Sequence, residues 1–174
     1  METNAINQQV NAQVEPIISS EALLEHWQGH RRLTRKTIEA FPEDKIFSYS
    51  IGGMRPMADL ALEIIDLSKD GITGIATGEW KPVAELDHAT EKVKFKSKIE
   101  LLEQWDQITV QINQVWHQIP QQRFHEVDLA FGAYEGKIID LLLYFIDNEI
   151  HHRAQGYVYL RSLGIEPPAF WNRW

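Results

Sequence analysis

Four segments of the chain repeat apolar residues at spacings of three and four positions, which is the pattern of a helix with one buried face. We predict helices over about residues 20–41, 56–71, 95–119 and 137–163. Alternation of apolar and polar residues, which is typical of a strand, does not continue for more than a few residues anywhere. The pattern therefore predicts an all-α fold.

Local signals indicate where these helices end and how they connect. Ser19 or Ser20 can cap the first helix, Pro42 ends it, and Gly164 is a typical C-terminal stop for the fourth. Residues 71–94 contain several glycines and no clear period, so we predict a long connection with one short turn of helix. Four helices, with one long connection between the second and the third, predict a four-helix bundle.

Composition favours a single domain. The chain has 174 residues, of which 44% are hydrophobic, and a domain of this size buries an adequate core without covalent cross-links. We expect residues 1–18 to form a flexible N-terminal arm and residues 19–174 to form the domain. The absence of cysteine excludes disulfides, thiolate zinc sites and a cysteine nucleophile. Any bound metal must therefore have nitrogen and oxygen ligands.

Charge and hydropathy limit the classes of partner that we expect for this chain. The formal net charge of −8 disfavours contact with a phosphate backbone, so we expect no nucleic-acid partner. No apolar run reaches the length of about 18–20 residues that spans a bilayer, and the first residues lack the pattern of a signal peptide. We therefore expect a cytoplasmic protein without a membrane partner.

The predicted fourth helix carries polar residues on its apolar face. Six residues share that face at helical spacing: Leu141, Phe145, Asn148, His152, Gln155 and Tyr159. Asn148 and His152 are one turn apart, a spacing at which two side chains can bind one metal ion. The alternative is a buried hydrogen-bond network of Asn148, His152 and Gln155 that fixes the register of the bundle.

The predicted second helix places Glu63 beside its own apolar stripe, three residues from Leu60 and four from Leu67. A carboxylate at that position needs a cation or a protonated histidine as a partner. The alternative is a place at the solvent edge, which is usual for a helix glutamate. His26 and His30 are also one turn apart, but they lie in a basic run, so we predict that both sit at the solvated rim. We predict that His151 forms a surface hydrogen bond with Asp147, and three histidines receive no role: His88, His117 and His125.

The segment from residue 148 to residue 168, NEIHHRAQGYVYLRSLGIEPP, resembles the fourth helix of the DinB-like family of damage-inducible, YfiT-like proteins. In that family the helix commonly reads His, Glu, any residue, His, His, Arg, Gly, Gln, with a Leu-Arg pair and a Gly-x-x-Pro-Pro ending. The match covers Glu149–Pro168, with Ala154 in place of the usual glycine. Weaker similarity extends through HRRLTRKTIEAFPEDK in the first helix and GGMRPMADLALEI in the second.

The resemblance implies a metal site between the second and fourth helices. The family binds its metal through three histidines, and the matching positions here are Glu63, Asn148 and His152, so only His152 is retained. A divalent metal such as zinc or nickel at these residues would have water-rich coordination and a lower affinity. The resemblance also implies a homodimer.

Two functions follow from the resemblance. The first is a metal-dependent thiol transferase or hydrolase-like enzyme, in which the metal activates a thiol or a water molecule. The alternative is a non-catalytic dimeric bundle that has lost the usual metal triad and binds a small molecule or acts in a stress response. The expected partner in either case is a small-molecule ligand or a thiol.

Overall fold

The structure, a computed structural model, describes residues 17–90 and 95–174. Most of the predicted N-terminal arm, residues 1–16, lies outside the described residues. Within these residues, five α-helices and one β-hairpin follow in chain order: α1 Ser20–Ala40, α2 Met57–Thr77, α3 Asp87–Thr90, α4 Lys98–Trp116, β1 Val127–Ala130, β2 Tyr134–Lys137 and α5 Ile138–Ser162. Two short 3-10 helices, Val83–Glu85 and Gln121–His125, lie in the connections. The predicted all-α fold is confirmed, with the hairpin as an addition.

The four long helices form the bundle that the sequence predicts. Both α1 and α2 pack against α4 and against α5. The largest fully buried apolar side chains come from α1, α2, α4, α5 and the segment that follows α1: Trp27, Leu33, Ile38, Phe41, Ile46, Met57, Leu60, Ile64, Ile65, Trp105 and Tyr159. Among the described residues, no helix has both the length and the apolar character that crossing a membrane requires.

Capping side chains fix the starts of two bundle helices. The Ser19 hydroxyl accepts a hydrogen bond from the backbone N–H of Ala22 at 3.1 Å, as predicted for α1. The Ser97 hydroxyl accepts from the N–H of Glu100, also at 3.1 Å, which starts α4 slightly later than the apolar pattern indicates. Beyond α5, Gly164 has a φ of 75°, the left-handed conformation that favours glycine after a helix.

The prediction that the second helix stops near Gly71 is wrong, because α2 continues to Thr77 and ends at Gly78 with a φ of 76°. The glycines inside α2 serve close packing. A Cβ atom at Gly71 would lie 2.5 Å from the Phe145 ring, and one at Gly74 would lie 2.3 Å from the Trp80 ring. A residue larger than glycine at either position would overlap a ring. Packing therefore requires these glycines, and they do not mark the end of the helix.

The apolar pattern also missed the hairpin before α5. Strands β1 and β2 are antiparallel, with Ala130 opposite Tyr134 at the turn. Phe131 and Gly132 take the positive φ values of the turn, 55° and 69°. Each strand has only four residues, which is too short for alternation to be recognised. The N–H of Val83 donates to the Phe131 carbonyl at 3.1 Å, which ties the long connection to the hairpin.

One prediction about the basic run in α1 is wrong. His26 is exposed as expected, but only 3% of His30 and none of Arg31 are exposed to solvent. Arg153 of α5 donates to Nδ1 of His30 at 3.0 Å, while Arg31 donates to the Trp105 carbonyl of α4 at 2.9 Å and lies 3.9 Å from Glu149 of α5. Polar partners on the neighbouring helices offset the cost of burying these two side chains. The sequence of α1 by itself does not reveal those partners.

Candidate functional site

The structure brings together the three residues that the sequence singled out. Glu63 lies on α2, while Asn148 and His152 lie one turn apart on α5. The Asn148 amide donates to Oε1 of Glu63 at 2.9 Å, and Nε2 of His152 lies 3.0 Å from the same oxygen. Glu63 and His152 have side-chain exposures of 16% and 8%. The site therefore lies between the helices and is almost closed to solvent.

Arg55 is a fourth member of this group that sequence reasoning missed. Its guanidinium donates to Oε2 of Glu63 at 2.5 Å from the loop that precedes α2. Arg55 lies outside the helical pattern, and no periodicity connects it to Glu63, so the sequence contained no signal for this pair. Both carboxylate oxygens of Glu63 are thus occupied by hydrogen bonds from the protein's own residues.

These contacts decide the ionisation of Glu63. Burial alone would raise the pKa of this carboxyl, but hydrogen bonds from His152, Arg55 and Asn148 hold the pKa well below its usual range. Glu63 is therefore a stable anion and a poor proton acceptor near neutral pH. The group is suited to holding a positively charged neighbour and poorly suited to general-base catalysis.

The donor set fits a weakly held ion better than a tight metal site. Glu63 and His152 offer one carboxylate and one imidazole, and Asn148 offers an amide oxygen, Oδ1, that is buried and has no hydrogen-bond partner among the described residues. Within residues 17–90 and 95–174 no group of three or more His, Asp or Glu side chains is arranged to hold a metal. An ion here would also lie close to the Arg55 guanidinium, which repels it.

A cavity of about 460 Å³ opens on the other side of Glu63. Its walls come from α2, the long connection, the hairpin and the first two turns of α5: Glu63, Leu67, Val83, Leu86, His88, Ala130, Phe131, Tyr134, Glu135, Gly136, Asp140, Leu141, Tyr144 and Phe145. The volume falls within the range of small-molecule sites, about 300–1,000 Å³. Neither the hairpin nor its part in this cavity was predicted.

A second polar pair borders the cavity. Nδ1 of His88 lies 2.8 Å from Oδ2 of Asp66, which is fully buried, and the backbone N–H of His88 donates to the same oxygen at 2.6 Å. A carboxylate partner requires a proton on Nδ1, so the side chain and the backbone of His88 both donate to Asp66. The two residues are 22 positions apart across a loop, which is why the sequence assigned His88 no role.

Comparison with known proteins agrees with the fold. A DinB-like protein of Bacillus subtilis has 17% sequence identity and a TM-score of 0.66, and the alignment covers 85% of this chain and 96% of that one. A DinB-like protein of Bacillus cereus has 14% identity and the same TM-score, with 86% and 95% covered. No curated protein matches this chain significantly. The model of the DinB family matches residues 7–174, nearly the whole chain, and the chain therefore belongs to the DinB family.

Proposed function

We propose that this protein is a small-molecule-binding member of the DinB family, in which the cavity beside Glu63 holds the ligand. The observation that supports the proposal is that Glu63 belongs both to the polar network and to the cavity wall. Its carboxylate is held as an anion by Arg55, Asn148 and His152, and it also lines a cavity of about 460 Å³. The polar network then acts as a fixed charged wall, and the hydrophobic side chains of the cavity bind the body of the ligand.

The cavity test uses the neutral fluorophore 1-aminoanthracene. We expect saturable binding with one site per chain and an increase in fluorescence. In the variant Gly136→Val we expect at least tenfold weaker binding. Gly136 lines the cavity, its backbone has no positive φ, and a Cβ there would lie 3.5 Å from Leu141, another wall residue, so valine fills space without strain.

The matched control is Ala133→Val, which introduces valine at an exposed position of the same hairpin, outside the cavity walls. This variant should bind the fluorophore like the parent. Absence of saturable binding by the parent would contradict the proposal, and so would equal affinity in the Gly136→Val variant.

A second candidate is a metal-dependent thiol transferase or hydrolase-like enzyme. The partnerless Oδ1 of Asn148 favours it, because an ion between the helices would satisfy that atom together with Glu63 and His152 once the amide turns its oxygen, rather than its nitrogen, toward Glu63. A divalent zinc or nickel ion would lower the pKa of a bound thiol or water. For such an ion to bind, Arg55 must release Oε2 of Glu63, and the 46% exposure of its side chain leaves room for that movement.

Thermal unfolding with added zinc or nickel separates the two candidates. The small-molecule proposal predicts that neither the metal nor a chelator changes Tm. The metal proposal predicts a stabilisation of about 2.7 kcal/mol at a metal concentration of about 100 Kd. The His152→Ala variant should then lose this stabilisation, whereas the control His26→Ala, at an exposed position on α1, should keep it.

The homodimer implied by the family resemblance is part of the proposal. Leu143, Tyr144 and Val158 of α5 are exposed by 41%, 57% and 53%. Tyr144 and Val158 are fourteen residues apart, close to four helical turns, so they share one outward face. A second copy of the chain that packs on this face would cover both side chains.

A further inference from the structure

The described walls of the cavity carry negative charge without a matching positive charge. Three carboxylates, those of Glu63, Glu135 and Asp140, line it, and none of its described lining residues is Lys or Arg. The negative charge of Glu63 is compensated by Arg55, which contacts Oε2. Glu135 and Asp140 form no ion pair within the part of the chain that the structure describes. The local field in the cavity therefore attracts a cation.

The cavity walls also include four aromatic rings. Phe131 and Phe145 are buried, and their ring centroids are 6.0 Å apart. Tyr134 and Tyr144 are 59% and 57% exposed, so they form the rim. Aromatic faces bind the apolar body of a ligand and also attract an ammonium group through the negative charge of the ring face. The aromatic walls therefore favour a ligand that combines an apolar body with an ammonium group.

The polar groups that remain on the cavity wall set the hydrogen bonding of a ligand. The carboxylates of Glu63, Glu135 and Asp140 line the cavity, and an ionised carboxylate only accepts hydrogen bonds. A ligand that satisfies these groups has to supply N–H donors and a positive charge.

We propose that the cavity binds an organic cation, in particular a primary ammonium group attached to an apolar or aromatic body. This inference rests on the proposed function, since it names the ligand class for the same cavity. The ammonium group lies near Asp140 and Glu135. The body of the ligand packs against Phe131, Phe145 and Leu141.

Three probes of similar size and different charge test this ligand class. Phenethylammonium is positive, 2-phenylethanol is neutral and phenylacetate is negative at pH 7. Isothermal titration of the full chain should show phenethylammonium binding at least tenfold more tightly than 2-phenylethanol, with phenylacetate weakest. The preference for the cation should decrease as salt is added, because the rim of the cavity is open to solvent.

The double variant Glu135→Gln/Asp140→Asn removes both uncompensated charges and changes little in size. It should lose most of the preference for phenethylammonium and keep the affinity for 2-phenylethanol. The control Glu103→Gln removes one negative charge at an exposed position of α4, away from the cavity, and should retain the preference. Circular dichroism of each variant establishes that the helices are intact.

The outcomes separate this inference from the proposed function. If the parent binds 1-aminoanthracene in the cavity but binds the cation and the alcohol equally, the cavity proposal stands and the cation inference is overturned. Retention of the full preference in the double variant also overturns it. If neither the fluorophore nor any of the three probes binds, both are wrong.

Discussion

Replacement of Arg31 by leucine is expected to lower the free energy of unfolding by about 3–5 kcal/mol, the usual cost of removing one partner of a buried ion pair. Arg31 is fully buried, donates to the Trp105 carbonyl at 2.9 Å and to the Thr109 hydroxyl at 3.1 Å, and lies 3.5 Å from the centroid of the Trp105 ring. Its Nη1 is 3.9 Å from Oε2 of Glu149, also fully buried. Burial raises the pKa of Glu149, and Arg31 opposes that rise.

Urea denaturation followed by circular dichroism measures this effect. The double variant Arg31→Leu/Glu149→Gln should be more stable than Arg31→Leu, because glutamine has no charge for Arg31 to compensate and still accepts from Thr34. Arg153, whose Nη1 lies 3.9 Å from Glu149, keeps its hydrogen bonds to Thr34 and His30 in both variants. The exposed pair of Arg35 and Asp106, with side chains 36% and 48% exposed, gives the control. The Arg35→Ala change should cost only about 0.2–1 kcal/mol. A loss below about 1 kcal/mol for Arg31→Leu would contradict a stabilising role for the buried pair.

His30 is expected to make the protein less stable as the pH falls below about 6.5, at a rate that approaches about 1.4 kcal/mol per pH unit. Burial lowers the pKa of His30 to about 3, and the positive charges of Arg153 and Arg173 and the neighbouring His26 add to the effect. In this range the unfolded chain takes up a proton that the native His30 does not. The unfolded state therefore binds more protons, and unfolding becomes easier on acidification down to about pH 3.

The measurement is the free energy of unfolding of parent and variant between pH 7 and 5. The His30→Asn variant should have a shallower slope, since asparagine does not titrate and offers an oxygen near the position where Nδ1 accepts from Arg153. The control His117→Asn, at an exposed position after α4, should keep the parent slope. Identical slopes for the parent and His30→Asn would show that His30 is not held neutral by its surroundings.

Much of the bundle could be predicted because helical periodicity is a local signal. The four long helices appear where apolar residues recur every three or four positions, and Ser19 and Gly164 mark ends as expected. Gly71 and Gly74 were misread, because their small size is required by the Phe145 and Trp80 rings. A sequence pattern contains the spacing of residues along one helix but not the ring that approaches it from elsewhere.

The candidate site was predictable only in part for the same reason. Asn148 and His152 share a helix face, and the family resemblance connected them with Glu63. Arg55 and His88, in contrast, reach the site from connections between the long helices. Their contacts depend on how the loops fold over the bundle, and no period in the chain relates them to their partners.

The central claim is that Arg55, Asn148 and His152, rather than a metal ion, compensate Glu63 beside the ligand cavity. Crystals of protein purified without an affinity tag and grown with added zinc allow a direct test by anomalous scattering at the zinc edge. Our account predicts no anomalous peak between Glu63 and His152 and an Arg55 guanidinium within hydrogen-bonding distance of Glu63. A zinc peak ligated by Glu63 and His152, with Arg55 displaced, would contradict it.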